Sequence, residues 1–470
     1  MVFSSIPFLY YFLPAVIILY FVSPKCLKNT VLLIASLFFY GWGEPRLLIM
    51  ILASIFAGYI FGLLIDRFKG KALAKIFFVL SVVSSLLTLG YFKYADFLIS
   101  TFNSVTGLSI PLLKIALPIG ISFYTFQILS YTVDVYRGDA PVQKNPFSLA
   151  TYIAMFPQLI AGPIVRYTTI AEQLEERTHS FENAALGIRR FILGLSKKVL
   201  LANTLGELCT AFASTTQPSV LYTWMYAITF TLQTYFDFSG YSDMAIGLGK
   251  IFGFDFLENF NYPFISSSIT EFWRRWHISL GTWFRDYVYI PLGGNRVKLP
   301  RYLLNIFAVW ALTGLWHGAS WNFVLWGVYF GILLILEKLF IFKHLEKNKG
   351  FLRIINHIYV FILVLISFVL FNAGTISDAA LQIGAMFGLS DLPFSSQETL
   401  YMLRNFAVLL ILGIIASTPF VKNTLNKLRE KPLFEKLINI LEPIALLVLL
   451  VAVTAYLVDG SFNPFLYFRF

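Results

Sequence analysis

The stretch Gly314-Leu315-Trp316-His317-Gly318-Ala319-Ser320-Trp321-Asn322 places a histidine in the middle of an uncharged segment. The 35 residues 302–336 around it contain no Asp, Glu, Lys or Arg. A lone imidazole at membrane depth is costly unless it is partnered or hydrated, which makes His317 a functional-site hypothesis. The alternative is a histidine that satisfies a hydrogen bond between packed helices. Position alone does not separate the two.

The composition is that of a membrane protein. Of the 470 residues 58% are apolar and only 13% are charged, against about 25% charged in an average chain. Apolar runs recur along the whole sequence and predict one all-α, polytopic membrane domain over 1–470. Several runs are shorter than the ~20 residues of a straight span, which favours segments that line a cavity.

The basic residues predict the topology. The net charge of +11 resides in short loops between apolar runs, a pattern typical of cytoplasmic loops and not of a nucleic-acid-binding protein. Arg301 and Lys338 bracket the uncharged segment, so we expect the chain to enter the membrane and return, with His317 near the turn. By the same reasoning the chain crosses twice between Arg353 and Lys422, and loop 378–398, which has no Lys or Arg, lies outside.

Seven of the nine tryptophans fall between Trp273 and Trp326. An interfacial tryptophan belt would spread over all helix ends, so this concentration indicates a lined pocket with indole N–H donors. At helical spacing Trp273, Trp276 and Leu280 share one face. An amphipathic basic helix on the membrane surface is the plainer interpretation of this segment.

The functional interpretation is a basic rim for the phosphates of an activated acyl donor such as a coenzyme A thioester. Its members are Arg274, Arg275 and Arg285, and Asp286 beside them is a further donor-binding or funnel-lining candidate. After them Pro291-Leu292-Gly293-Gly294-Asn295-Arg296 predicts a tight turn.

Two other segments interrupt apolar runs. Asp237 and Asp243, on either side of Gly240, predict a buried polar network; a helix-end cap or ion pairs to Arg274 or Arg285 are favoured over a direct catalytic role. Phe156-Pro157-Gln158-Leu159-Ile160-Ala161-Gly162-Pro163 predicts a broken helix of the kind that lines a cavity.

Signatures of other chemistries are missing from the sequence. Cys26 and Cys209 have no metal-ligand spacing, the five histidines form no HExxH pattern, and no P-loop, dinucleotide fingerprint or nucleophile elbow occurs. We therefore expect no bound metal or cofactor. An imidazole base, a basic rim and an indole-lined pocket suit acyl transfer from a pre-activated donor.

Taken together, these motifs resemble the membrane-bound O-acyltransferase family, in particular its bacterial alginate O-acetylation branch. The resemblance covers nearly the whole chain and rests on several separate motifs. The first of them is Met1-Val2-Phe3-Ser4-Ser5 and the last is Phe465-Leu466-Tyr467-Phe468. Its most specific parts are Phe272-Trp273-Arg274-Arg275-Trp276-His277, Trp283-Phe284-Arg285-Asp286-Tyr287 and the segment around His317. It implies about eleven transmembrane helices, with re-entrant and interfacial helices, around a central funnel. It also implies that His317 is the catalytic histidine and His277 a second important one.

The mechanism expected from these residues uses acetyl-CoA or another acyl thioester as the donor substrate. Neutral His317 would act as the base on an acceptor hydroxyl, with the Trp316 or Trp321 indole or Asn322 meeting the oxyanion. The acceptor is either a sugar hydroxyl or, as the resemblance favours, a group on an extracytoplasmic SGNH-type acetyltransferase partner that serves polysaccharide acetylation and exopolysaccharide biosynthesis. The expected location is the cytoplasmic membrane. The alternatives are D-alanyl transfer to teichoic acid and a non-enzymatic transporter.

Overall fold

The computed structural model of the chain describes residues 1–348 and 350–460, so the motif at 465–468 lies outside the described residues. Within those ranges all regular structure is helical, which confirms the all-α prediction. The α-helices in chain order are α1 (Leu13–Val22), α2 (Lys28–Gly43), α3 (Leu48–Arg67), α4 (Ala72–Thr106), α5 (Ile121–Arg137), α6 (Pro146–Ala154), α7 (Phe156–Leu159), α8 (Tyr167–Glu175), α9 (Phe181–Ser196), α10 (Thr204–Ala213), α11 (Val220–Ile251), α12 (Ile269–Arg275), α13 (Ile278–Phe284), α14 (Leu299–His317), α15 (Trp321–Leu336), α16 (Phe342–Lys347), α17 (Arg353–Asn372), α18 (Ile376–Met386), α19 (Gln397–Ala416), α20 (Phe420–Arg429) and α21 (Pro432–Val458).

Short helical pieces of other pitch join several of these helices. Wider π-helical turns occur at Phe8–Phe12, Lys197–Asn203, Arg285–Tyr289 and Glu337–Ile341. Tighter 3₁₀ turns occur at Lys25–Leu27, Pro45–Leu47, Pro263–Ile265 and Gly350–Leu352.

Seven helical segments of the described chain are long and apolar enough to cross a membrane, so the chain is a multi-pass membrane protein. They are Lys25–Gly43, Pro45–Arg67, Ala72–Thr106, Trp321–Leu345, Gly350–Asn372, Gln397–Ala416 and Pro432–Val458. The expected count of about eleven stays a prediction. Helix α5 is buried along nearly its whole length and therefore does not face lipid. For this reason it can carry polar side chains such as Gln127 and Ser130, which lower its mean hydropathy.

The chain divides into two compact units, and the expectation of one domain over 1–470 stays a prediction. The first unit comprises Met1–Phe191 and Tyr241–Leu257. In it α3, α4 and α8 pack against α5. A Cβ added at Gly62 of α3 would lie 2.5 Å from the Tyr131 hydroxyl of α5, so only glycine permits this approach. The expected break lies here too: α7 ends at Leu159, and the buried residues 160–164 that follow it are not helical.

The second unit comprises Ile192–Gly240 and Glu258–Phe470, of which residue 349 and residues 461–470 are not described. Its core joins part of α11 to α12, α15 and α17 through buried aromatic and aliphatic side chains. Helices α14 and α15 form a hairpin whose connection follows His317 directly, as the charge pattern predicts. Both helices that carry the predicted double crossing, α17 and α19, are candidate spans.

Candidate functional site

The hairpin places His317 through a backbone contact between two glycines. A Cβ added at Gly314 would overlap the carbonyl oxygen of Phe323 and lie 3.1 Å from the Gly327 Cα. Small residues let membrane helices approach this closely, and the close approach stabilises their packing. His317, one turn after Gly314, is the last residue of α14, so the crossing point fixes its position.

Three aromatic rings surround the His317 imidazole, which is 8% exposed. Its ring centroid lies 5.0 Å from that of Trp316, 4.9 Å from that of Trp326 and 5.5 Å from that of Phe371. All three rings stand nearly perpendicular to the imidazole. A general base must be neutral, and the expectation that His317 is neutral stays a prediction.

His277 lies at a break between α12 and α13, so the prediction that Trp273, Trp276 and Leu280 share a face of one helix is wrong. His277 has φ 46° and ψ 52°, a left-handed conformation that few residues with a side chain adopt. The break arises because the neighbouring segment 259–261 takes over backbone hydrogen bonds: Ile278 N donates to Asn259 O and Asn261 N to Arg275 O. Conformations of this kind concentrate at functional sites.

Asn259 fixes the tautomer of His277. The Asn259 Oδ1 atom accepts from the backbone N–H of Ser279 at 3.2 Å and from its hydroxyl at 2.9 Å, so this atom is an oxygen. His277 Nδ1 lies 3.1 Å from the same oxygen and must therefore carry the hydrogen. The opposite nitrogen, Nε2, is the basic one, and it is buried with no hydrogen-bond partner among the described residues.

The two histidines belong to one site. The Trp316 ring lies 5.9 Å from that of His277 and 5.0 Å from that of His317. His277 lies outside the seven candidate spans. Its pKa lies well below the usual value of a histidine, first because the ring is buried and second because His317 is nearby. Two neutral imidazoles beside a common indole can accept a proton from a hydroxyl and return it to a leaving group.

Four of the tryptophans lie together in the core of the second unit. Trp273, Trp310 and Trp326 form a continuous cluster with Phe330, and the Trp273 and Trp310 rings lie 4.4 Å apart. The indole nitrogens of Trp273 and Trp326 are buried without a hydrogen-bond partner among the described residues. Trp276 is buried beside this cluster, stacked on Phe272.

Two of the three expected oxyanion donors are poorly placed. Trp321 is 53% exposed, unlike the buried Trp316. The Asn322 amide nitrogen donates to Ala373 O at 2.8 Å, and its oxygen accepts from Ser320, so this side chain ties α15 to the end of α17. Among these three residues the geometry therefore favours Trp316.

Of the three predicted arginines, two pair with carboxylates. Arg275 Nη2 lies 2.9 Å from Glu271 Oε1, and Arg285 Nε lies 2.6 Å from Asp286 Oδ1. The hydrogen bond to Asp286 raises the pKa of Arg285. Arg274 is exposed and makes no hydrogen bond or ion pair within the described chain. The predicted donor site at these arginines stays a prediction, with Arg274 as its least neutralised charge.

The predicted ion pairs of Asp237 and Asp243 to Arg274 or Arg285 are wrong. Asp237 Oδ1 lies 2.6 Å from Lys198 Nζ in the second unit, and both side chains are at most 4% exposed. Asp243 Oδ1 lies 2.8 Å from Arg190 Nη2 in the first unit. Both carboxylates lie inside α11, not at its end, and they face the helical segment that precedes α11. Asp237 therefore belongs to a buried polar pair, in line with the predicted buried polar network.

Three residues at the site were given no role from the sequence, namely Asn259, Ser279 and Phe371, whereas Trp326 lies in the tryptophan-rich segment that predicted a lined pocket. Asn259 and Ser279 orient His277, while Trp326 and Phe371 contact His317. The motif Asn259-Phe260-Asn261-Tyr262-Pro263 was a usable signal, since two amides next to a proline are unusual in so apolar a chain. Phe371 gave no signal, because phenylalanine is among the commonest residues of this sequence.

Comparison with known proteins identifies the family of the chain. The family model described as MBOAT, membrane-bound O-acyltransferase family, matches residues 140–373, which include both histidines. The Probable alginate O-acetylase AlgI of Azotobacter vinelandii is 39% identical over the full length of both chains. The peptidoglycan O-acetyltransferase of Helicobacter pylori is 34% identical over 83% of this chain and 80% of its own.

A more distant relative has another activity in its name. The teichoic acid D-alanyltransferase of Bacillus subtilis is 29% identical over 47% of this chain and 59% of its own. All these names denote group-transfer enzymes, so the transporter alternative is not retained. With identity extending over complete chains and the family model covering the two-histidine site, the chain belongs to the membrane-bound O-acyltransferases and is an O-acyltransferase.

Proposed function

We propose that this enzyme transfers an acetyl group from a cytoplasmic thioester, acetyl-CoA, across the cytoplasmic membrane for O-acetylation of an extracellular or cell-wall polysaccharide. The pairing of His277 and His317 around Trp316 carries the proposal. The acetyl group is favoured because alginate and peptidoglycan O-acetylases match most or all of the chain, whereas the D-alanyltransferase matches about half.

The reaction needs no cofactor. An acceptor hydroxyl attacks the thioester carbonyl while His317 takes its proton. The tetrahedral intermediate carries a negative oxygen, which the indole N–H groups of Trp316 and Trp326 are suited to meet. Collapse breaks the carbon–sulfur bond, and the departing thiolate takes the proton from the imidazolium. The products are the acetyl ester and free thiol, and His317 is neutral again.

His277 is a second candidate base, and we assign it the supporting role. Its Nε2 is held unprotonated by the Asn259 contact at Nδ1. It can therefore accept the single hydrogen of an arriving hydroxyl, which then turns to His317 before that proton is removed. His317 takes the principal role because its ring contacts both Trp316 and Trp326, the two proposed donors to the oxyanion.

The donor and acceptor are proposed to reach the site from opposite sides. The exposed, unneutralised charge of Arg274 suits it to the donor phosphates, with Arg275 and Arg285 available on release from their carboxylates. An SGNH-type acetyltransferase outside the membrane is the proposed acceptor, and it would pass the acetyl group to the polymer.

The test uses purified full-length protein in lipid nanodiscs with acetyl-CoA labelled in the acetyl group. The wild type should release free CoA and form labelled acetyl ester on a partner or hydroxyl acceptor. His317→Ala should lower the rate by about 10²–10⁴-fold, the usual contribution of a general base. His344→Ala is the matched control, because His344 is exposed and its one hydrogen bond among the described residues is to a backbone carbonyl of its own helical segment.

Two results would contradict the proposal. A folded His317→Ala protein that keeps a third of the wild-type rate would remove this residue as the base. Turnover of a D-alanyl thioester with acetyl-CoA left intact would replace acetyl transfer by D-alanyl transfer.

A further inference from the structure

The first unit contains a group of basic side chains that the proposed acyl transfer does not use. We call Lys25, Lys28, Arg177 and His179 the Arg177 cluster. Its centre is the Tyr20 ring, which is completely buried. The Lys28 ammonium lies 4.5 Å from the centroid of this ring, and the Arg177 guanidinium lies 5.9 Å from it. Two cations therefore share one aromatic ring.

Hydrogen bonds hold the cluster in place. The Tyr20 hydroxyl donates to Phe252 O at 2.8 Å and has only one hydrogen, so His179 Nε2, at 2.9 Å, is the donor to Tyr20. Arg177 Nη2 donates to Asn29 Oδ1 at 2.7 Å. These contacts keep Arg177 and His179 near the first turn of α2.

The positive charges in the cluster are weakly compensated. Partial burial, followed by the charges of Lys28, Arg177 and Lys25, lowers the pKa of His179, and no carboxylate counters this effect. Glu175 is the one carboxylate that acts on Arg177, and it also accepts a hydrogen bond from Gln143. Like charges held this close are destabilising unless an anion joins them.

One donor in the cluster points to such an anion. Arg177 Nη1 is buried and has no hydrogen-bond partner among the described residues. A buried, unsatisfied charged donor costs more than about 1–3 kcal/mol, so a ligand oxygen at this position is strongly favoured. Arginine donors match phosphate oxygens in geometry and charge.

We propose that the Arg177 cluster binds a phosphate group. Lys25 is the first residue of a candidate span, so the cluster lies at a span end, where lipid headgroups reside. The phosphate belongs either to an anionic phospholipid or to a soluble phosphorylated compound. Aromatic rings flank the site, with the Arg177 guanidinium 4.4 Å from the centroid of Phe254.

The experiment measures thermal stability of the purified full-length protein in an uncharged detergent. One arm titrates phosphatidylglycerol against a glycosyl diacylglycerol of equal chain length that lacks phosphate. The other arm titrates inorganic phosphate against chloride at equal ionic strength. Stabilisation by phosphatidylglycerol alone assigns the site to a lipid, and stabilisation by both phosphate probes assigns it to the phosphate group itself, whatever its carrier.

Two substitutions test the assignment to these residues. Arg177→Gln and Lys28→Gln should each weaken the apparent affinity about 10-fold or more, the equivalent of one charge-assisted hydrogen bond. Lys28→Gln is the more specific test, because Arg177→Gln would also remove the hydrogen bond from Arg177 to Asn29. Lys144→Gln, which changes an exposed lysine of the same unit, should leave the titration unchanged. Equal affinity in wild type and Lys28→Gln, or no stabilisation by either phosphate probe, would overturn the proposal.

Discussion

Replacing Asn259 tests whether His277 acts through a fixed tautomer. The Asn259 oxygen accepts from His277 Nδ1 at 3.1 Å and from the Ser279 backbone N–H at 3.2 Å. In Asn259→Ala both buried donors lose this acceptor, at about 1–3 kcal/mol each. The Ser279 hydroxyl, 3.5 Å from His277 Nδ1, can turn towards it and offset part of the loss. We therefore expect about 2–4 kcal/mol of destabilisation.

The effect on the reaction follows from the same hydrogen bond. Without it, the tautomer with a basic Nε2 loses an advantage of about 1–1.5 kcal/mol, which changes the ratio of the two tautomers about 10-fold, so kcat should fall at least about 2-fold. Asn259→Asp keeps the acceptor but adds a negative charge, which favours the imidazolium and raises the pKa of His277 from its lowered value. Since protonated His277 has no basic Nε2, the Asp variant should lose activity at neutral pH and recover it as the pH rises.

The assay is the pH dependence of kcat for acetyl transfer by wild type, Asn259→Ala and Asn259→Asp at equal folded concentration. The Ala variant should be slower at every pH, and the Asp variant should approach the wild-type rate only under alkaline conditions. An Asp variant with the wild-type pH profile, or an Ala variant that folds and turns over like the wild type, would refute the assigned tautomer.

Three other predictions concern packing, charge and topology. Gly314→Ala should cut the transfer rate at least 10-fold with modest loss of thermal stability, because the helices must separate and shift His317; a wild-type rate would show that the crossing does not set the site. Lys198→Met should destabilise the protein by about 3–5 kcal/mol because it removes the ammonium that lies 2.6 Å from the buried Asp237 carboxylate, and the added change Asp237→Leu should restore most of it in thermal unfolding. A cysteine introduced in segment 378–398 should react with an impermeant thiol reagent on intact cells while a cysteine at 344–350 does not, and the reverse pattern would invert the orientation.

The sequence predicted those parts of the structure that depend only on the residue types within a single segment. The apolar runs predicted helices, and the absence of charge over 302–336 predicted a hairpin that turns at His317. These features follow from the need to bury apolar surface and to keep charge out of lipid. They do not depend on what lies opposite the segment.

The errors arose where a distant segment decides the local structure. Helical spacing joined Trp273 to Leu280, but backbone hydrogen bonds to residues 259–261 end the helix between them. Asp237 pairs with Lys198, which is far away in sequence, although arginines of the tryptophan-rich segment were the expected partners. Periodicity describes the faces of a single helix, so it cannot identify partners that only the fold brings together.

The glycine contact between α14 and α15 also bears on how the protein is made. α14 is not among the segments apolar enough to cross a membrane by themselves, and it carries Arg301 and Asn305 as well as His317. α15 begins a segment that is apolar enough. We therefore expect the insertion machinery to accept α14 only together with α15, as a preformed hairpin. A nascent chain that ends just after His317 should remain outside the bilayer, so the site histidine enters the membrane only once the ribosome has completed its partner helix.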